Sequence, residues 1–235
     1  NGTGNGLTNS LLYQSNLKID TDLDKTYSYI YNRLDEFKYQ DIDTMKISMI
    51  NSKIDYYSFL FLSFGTFANL DINSDWLRIL GEVRFTIGAI IELLLYIFRC
   101  KTVKAKLEYK NDDGNIIIED GNFTFFLANN LSHTSGSSIT SPLSKPNDGY
   151  IYLSYALQPC SSYKLLKILL GLEDGSYINE LKYVRTKWFR ITPYSNDDVF
   201  YDIDGEKFEI EPVEVNINPK SLKVIIHFKI ETIFK

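Results

Sequence analysis

The residues with the clearest chemical potential fall in a few short stretches. The chain opens with Asn1-Gly2-Thr3-Gly4-Asn5-Gly6-Leu7, a glycine-rich turn. Its backbone N–H groups are of the kind that cradle phosphate at a helix start, although the same residues also make an ordinary turn. Asp71, Arg78 and Arg84, taken alone, read as a solvated helix entrance. Asp204-Gly205-Glu206 lies between two alternating runs and reads more readily as a hairpin turn than as an acidic site. His133 and His227 have no partner spacing for catalysis or metal binding, and neither a Ser/His/Asp set nor His-Glu-x-x-His occurs.

Composition narrows the classes. With 235 residues, 44% apolar and 23% charged, the sequence predicts a soluble globular protein with a sizeable core. A net charge of -5 and the lack of a basic stripe argue against a nucleic-acid partner and against electrostatic docking to an anionic membrane. Two cysteines, Cys100 and Cys160, provide no disulfide framework and fit a reducing, cytoplasmic setting. The apolar stretch 87–100 is too short to span a bilayer and is interrupted or flanked by Arg84, Glu92 and Arg99.

The order of the motifs carries more than any one of them. The opening glycine turn is followed by Leu62-Ser63-Phe64-Gly65-Thr66-Phe67-Ala68-Asn69-Leu70-Asp71. Next comes Leu77-Arg78-Ile79-Leu80-Gly81-Glu82-Val83-Arg84-Phe85-Thr86-Ile87-Gly88, and then Asp204-Gly205-Glu206. This series resembles the sphingosine kinases, within the wider diacylglycerol-kinase-like lipid kinases. The middle block is its specific part, and the resemblance is faint in 13–55 and 132–148.

The resemblance implies roles. Thr3, Gly4 and Asn5 would sit beside ATP phosphates. Asp71 would bind the polar head of a long-chain base, where a carboxylate can pair with an ammonium. Arg78 and Arg84 would stabilise the transferred phosphate. Glu206, with Asp204 as a second acidic contributor, would lie near the nucleotide and its Mg2+. Leu165, Ile168, Leu169 and Leu172, with Tyr177, Leu70 and Phe85, would line the tail channel. The Gly-Gly-Asp-Gly motif, whose aspartate is the family's base, belongs upstream of the glycine turn, so residues 1–235 alone are expected to be inactive. The reaction implied is phosphoryl transfer from Mg-ATP to the primary hydroxyl of sphingosine, in the cytoplasm with transient membrane contact. The alternatives are a ceramide or diacylglycerol kinase, or a non-catalytic lipid-binding module.

Positioning these groups requires the following elements. Helical spacing covers 8–14 and 26–39. Runs 46–49 and 57–64, around Asn51-Ser52-Lys53, predict a hairpin. Helical lids are expected over 74–99, broken near Gly81 and Gly88, with an apolar arc over 87–98 wider than a surface helix needs. Strands are expected over 103–110, 116–119, 122–128 and 150–156, with 132–148 a mobile polar loop. A pocket helix over 161–174 precedes strands over 181–193, 199–203, 207–217 and 222–228, with turns at Asp204-Gly205 and Asn218-Pro219-Lys220. The fold class is α+β: mainly an antiparallel β-sandwich with an inserted helical lid over 41–235. Residues 1–40 are read as a remnant of an α/β nucleotide-binding domain.

Overall fold

The computed structural model describes residues 6–7, 10–11, 38–74, 83–99, 101–135, 138–194 and 199–226. The strands begin with β1 (Lys38–Met49), β2 (Ile54–Ser58) and β3 (Phe61–Gly65), and continue with β4 (Val103–Lys110) and β5 (Ile116–Asn129). Next come β6 (His133–Ser135), β7 (Ser138–Ile139), β8 (Ile151–Leu157), β9 (Lys182–Thr186) and β10 (Trp188–Pro193). Then follow β11 (Phe200–Ile203), β12 (Glu206–Glu209) and β13 (Val213–Ile226). Among the described residues, the longer α-helices are α1 (Thr66–Asn73), α2 (Val83–Arg99) and α3 (Ser162–Leu170).

Eleven strands form one antiparallel sheet in the order β12-β11-β3-β5-β4-β10-β13-β1-β2, with β8 and β9 branching from β5. The sheet curls until its ends meet: Tyr56 on β2 and Phe208 on β12 stand edge to face, with ring centroids 4.8 Å apart. Inside the curl lies one core, including Met45, Leu62, Phe64, Leu107, Phe123, Phe126, Phe189 and Val215. A second core, including Phe61, Phe67, Leu70, Phe125, Leu127, Leu165 and Tyr177, packs on the other sheet face under the helices.

Strand β5 serves both cores. Its first half pairs with β4, and its second half runs between β3 and β8. The pairing with β8 shifts between Phe123 and Phe125, so the strand bulges at Thr124. Because a one-residue slip reverses which face each side chain takes, Phe123 and Phe126 both enter the inner core, while Phe125 and Leu127 turn to the helices.

Several expected elements are redrawn. The run 57–64 is two strands, because the backbone turns at Phe59 and Leu60 around the carboxylate of Asp204. Lys38 and Tyr39 belong to β1 rather than to a helix; the rest of 26–39 lies outside the described residues, as does most of 8–14. Helix α1 begins at Thr66, and α2 runs through Gly88 unbroken; Gly81 lies outside the described residues. The stretch 132–148 is not a solvated loop. Ser132, Thr140, Ser141 and Ser144 are buried, and their polar groups bond neighbours such as Asn130 O and the Tyr183 hydroxyl. Asn218-Pro219-Lys220 is a bulge within β13, held by Lys220 N donating to Asp43 Oδ1 at 2.7 Å. Among the described residues, no helix is long and apolar enough to cross a membrane.

Candidate functional site: an apolar cavity with a carboxylate wall

Helix α1 leaves β3 through Gly65, whose φ of 75° suits glycine; a Cβ there would lie 2.9 Å from Thr124 O. Thr66 Oγ1 donates to the same carbonyl at 2.9 Å, so the β5 bulge seats the helix. Helix α2 crosses α1 at Gly88, where an added Cβ would fall 2.8 Å from Leu70 Cδ1. Helix α3 starts at Ser161, which caps it by accepting from Lys164 N at 3.1 Å.

These helices and the β6–β7 hairpin enclose a cavity of about 470 Å³, within the usual range of about 300–1,000 Å³ for small-molecule sites. Its wall is mostly apolar: Phe61, Phe67 and Leu70, then Ala89, Ile90 and Leu93 from α2, and Leu166, Leu169, Leu170 and Leu172 from α3 and its end. Asp71 and Glu173 are its carboxylates; Thr86, Thr134, Ser135 and Ser138 add hydroxyls. Ile90 and Leu170 line it yet remain 56% and 67% exposed, which marks its mouth between α2 and α3.

The residues expected from the sequence divide as follows. Leu70, Asp71, Leu169 and Leu172 come together on the cavity wall. Leu165 and Ile168 are fully buried behind it, in the core beneath the helices. Tyr177 is also fully buried, its hydroxyl bonded to Ser154 Oγ at 2.8 Å and to Thr140 O. Arg84 and Phe85 lie in the first turn of α2 with side chains outside the described residues; Arg78 lies outside them altogether, as do Thr3, Gly4 and Asn5. Leu166, Leu170 and Glu173 were not anticipated. They form the helical stripe beside the one chosen, at the same spacing of three and four, so periodicity alone does not rank the two.

The hairpin turn between β11 and β12 sits below Asp71. Asp71 Oδ2 is 3.9 Å from where a Cβ on Gly205 would be, and Asp202 on β11 is hydrogen-bonded to Asp71. Asp204 is engaged with the β2–β3 turn. Its two oxygens accept from Ser58 Oγ, Phe59 N, Leu60 N and Phe61 N at 2.7–3.1 Å. Glu206 opens β12 as an exposed carboxylate. No group of three or more metal-ligating side chains stands together among the described residues. Gly6, within the opening glycine-rich stretch, packs on the hairpin beside the cavity: a Cβ would sit 2.8 Å from His133 O and 2.9 Å from Thr134 O, which leaves no room for alanine. His133 N donates to Ser10 Oγ at 3.0 Å.

Helix α2 is turned inside out relative to a surface helix. Gly88, Glu92 and Tyr96 face inward, and burial pushes the Glu92 carboxyl upward while Asn69 Nδ2 donates to it at 3.4 Å. Ile91, Leu94, Leu95, Ile97 and Phe98 are left on the exposed side, Phe98 at 82%. The wide apolar arc read from the sequence therefore serves the cavity wall and an open outer surface.

The fold and site are thus a curled antiparallel sheet carrying a helical layer, with a carboxylate-bearing apolar cavity between them. Residues 62–226 match the YegS C-terminal NAD kinase beta sandwich-like domain, and the chain belongs to that family. It is similar to sphingosine kinase 1 of Mus musculus, 27% identical over 199 residues, covering 72% of this chain and 52% of the mouse protein. Against sphingosine kinase 1 of Homo sapiens the figures are 25%, 69% and 50%, and against that of Arabidopsis thaliana 26%, 87% and 48%. The chain thus spans about half the length of these relatives. A Bacillus anthracis str. Sterne structure, provisionally described as a diacylglycerol kinase, shares the fold with a TM-score of 0.63. It is 15% identical, and the match covers 94% of this chain and 65% of that one.

Proposed function

We propose that this chain is the lipid-recognising part of an ATP-dependent kinase that phosphorylates the primary hydroxyl of sphingosine or a related long-chain base. The observation that carries this reading is Asp71: a carboxylate set in the wall of a mostly apolar cavity whose mouth is apolar. An ammonium pairs with it, and a tail gains about 0.8 kcal/mol for each CH₂ buried between α2 and α3. Thr3, Gly4, Asn5 and Glu206 would hold Mg-ATP, which supplies the phosphoryl group and neutralises its charge. Glu206 fits the metal-facing part, being exposed at the start of β12 in the turn below Asp71. Arg78 and Arg84 would stabilise the phosphate in transit, and the base would come from an amino-terminal partner region. The outer face of α2 would rest on the membrane of a cytoplasmic, peripherally bound enzyme and bring the mouth to the lipid.

The test is Asp71→Asn in the full natural protein. Losing a charged hydrogen bond worth roughly 1.5–3 kcal/mol lowers kcat/KM for sphingosine about ten- to hundredfold, while any turnover of diacylglycerol hardly changes. Equal losses for both lipids would reduce Asp71 to a prop for the helices. A second reading, a diacylglycerol or ceramide kinase, draws on the shared fold. It requires the neutral lipid to be the better substrate before and after the substitution. Absence of turnover with any of these lipids, despite binding, would leave the non-catalytic module.

A further inference from the structure

Two aspartates lie two positions apart below the cavity, Asp202 fully buried and Asp204 half-buried, and their surroundings differ. Asp204 has donors for both oxygens, as described above. Asp202 is 0% exposed, yet among the described residues it accepts only from Gly205 N at 2.9 Å and, more distantly, from Ser63 Oγ at 3.5 Å. Its remaining contact is the carboxyl of Asp71. Ionised carboxylates only accept hydrogen bonds, so two carboxyls in hydrogen-bond contact require a proton on one of them. Among the described residues, the sheet offers Asp202 no cation in its place. Lys207, opposite Asp202 in register, holds its ammonium over the Phe200 ring, 4.5 Å from the centroid. Among the described residues, the other charged group facing Asp202 is Asp204, which is acidic as well.

We infer that Asp202 is a positioning residue for Asp71: it stays protonated, donates to the Asp71 carboxylate, and fixes that carboxylate, ionised, toward the cavity. The two carboxyls then carry one negative charge between them. Asp71 is the more exposed partner and keeps the charge; Asp202 has no solvent and keeps the proton. Burial, and after it the charge of Asp71, drive the Asp202 carboxyl well above the usual carboxylate range, in keeping with this division. The inference rests on the proposed role of Asp71 in binding the head group.

Infrared difference spectroscopy and kinetics on the full natural protein test it together. At neutral pH the wild type shows the carbonyl stretch of a protonated carboxyl, and Asp202→Asn abolishes that band. The amide can still donate to Asp71, so Asp202→Asn keeps kcat/KM for sphingosine within about threefold of wild type, whereas Asp202→Ala loses about tenfold or more. No band assignable to Asp202, or an Asn variant as impaired as the Ala variant, overturns the inference. If Asp71→Asn leaves sphingosine turnover intact while the band is present, the head-group role falls and the proton-sharing pair stands.

Discussion

Gly88 of α2 lies directly against Leu70 of α1, so close that a methyl group on Gly88 would stand 2.8 Å from Leu70 Cδ1 and 3.3 Å from Ser74 Cβ. Leu70 is also cavity wall, so this crossing sets both helix packing and pocket shape. Gly88→Ala is expected to change stability by less than about 1 kcal/mol, since the helix gain offsets the shift of a flexible leucine tip. Its effect falls on the lipid KM. Gly88→Ile, which overpacks the crossing, is expected to cost about 1–3 kcal/mol in denaturant titration.

The two acids of the Asp-Gly-Glu turn are separable. Asp204→Ala strips the acceptor from the β2–β3 turn and is expected to lower stability by about 3 kcal/mol, read as a fall in Tm. Glu206→Gln, at an exposed position, is expected to leave Tm unchanged and to raise the Mg2+ concentration needed for turnover.

Asp202 also sets a pH dependence. Its folded pKa is raised above the ordinary 3.8 by burial and by Asp71. Above pH 3.8 the unfolded chain releases this proton while the folded one retains it. Stability therefore falls as pH rises, by at most about 1.4 kcal/mol per unit, until the folded carboxyl ionises. Asp202→Asn lacks this slope, so its stability relative to wild type is expected to improve steadily between pH 4 and pH 7 in chemical denaturation.

On the outer face of α2, Phe98→Ala is expected to weaken binding to neutral lipid vesicles by about tenfold or more, the equivalent of about 1.5–3 kcal/mol of lost side-chain burial. Tm should stay within its error, because Phe98 is 82% exposed in the folded chain. Unchanged vesicle sedimentation would remove the membrane role of this face.

For the arginines, Arg78→Ala and Arg84→Ala in the full natural protein are expected to depress kcat more than they raise the lipid KM, since charge builds up in the transition state. Wild-type kcat in both variants would make them ordinary surface arginines.

Strand positions were legible where one local signal decided them. The Asn111-to-Asn115 and Asp204-Gly205 turns stand where composition put them, and the leucine-rich α3 falls inside 161–174 but ends at Leu170. What misled was long-range. The break at Phe59 and Leu60 is made by a carboxylate more than 140 residues away, and the Asn218-Pro219-Lys220 bulge by Asp43, neither of which leaves a local mark. Serine-rich 132–148 looked solvated because hydroxyls that satisfy buried backbone read the same as hydroxyls that meet water. At the site, motif order picked out Asp71 and Leu70 on the wall. It did not find Asp202, whose importance comes from the helix that lies over it.

Beyond its bulge, β5 is the wall between the two cores. Phe125 and Leu127 belong to the layer that would hold the lipid, and Phe126 and Ala128 to the sealed interior of the curl, so consecutive residues report on opposite sides of one wall. A lipid that filled the cavity would press the helices onto Phe125 and Leu127, which belong to the core beneath them, and raise the cost of opening the strand. Amide hydrogen exchange along Phe125–Asn129 should therefore slow on lipid loading, for residues that point away from the lipid as well as for those that face it.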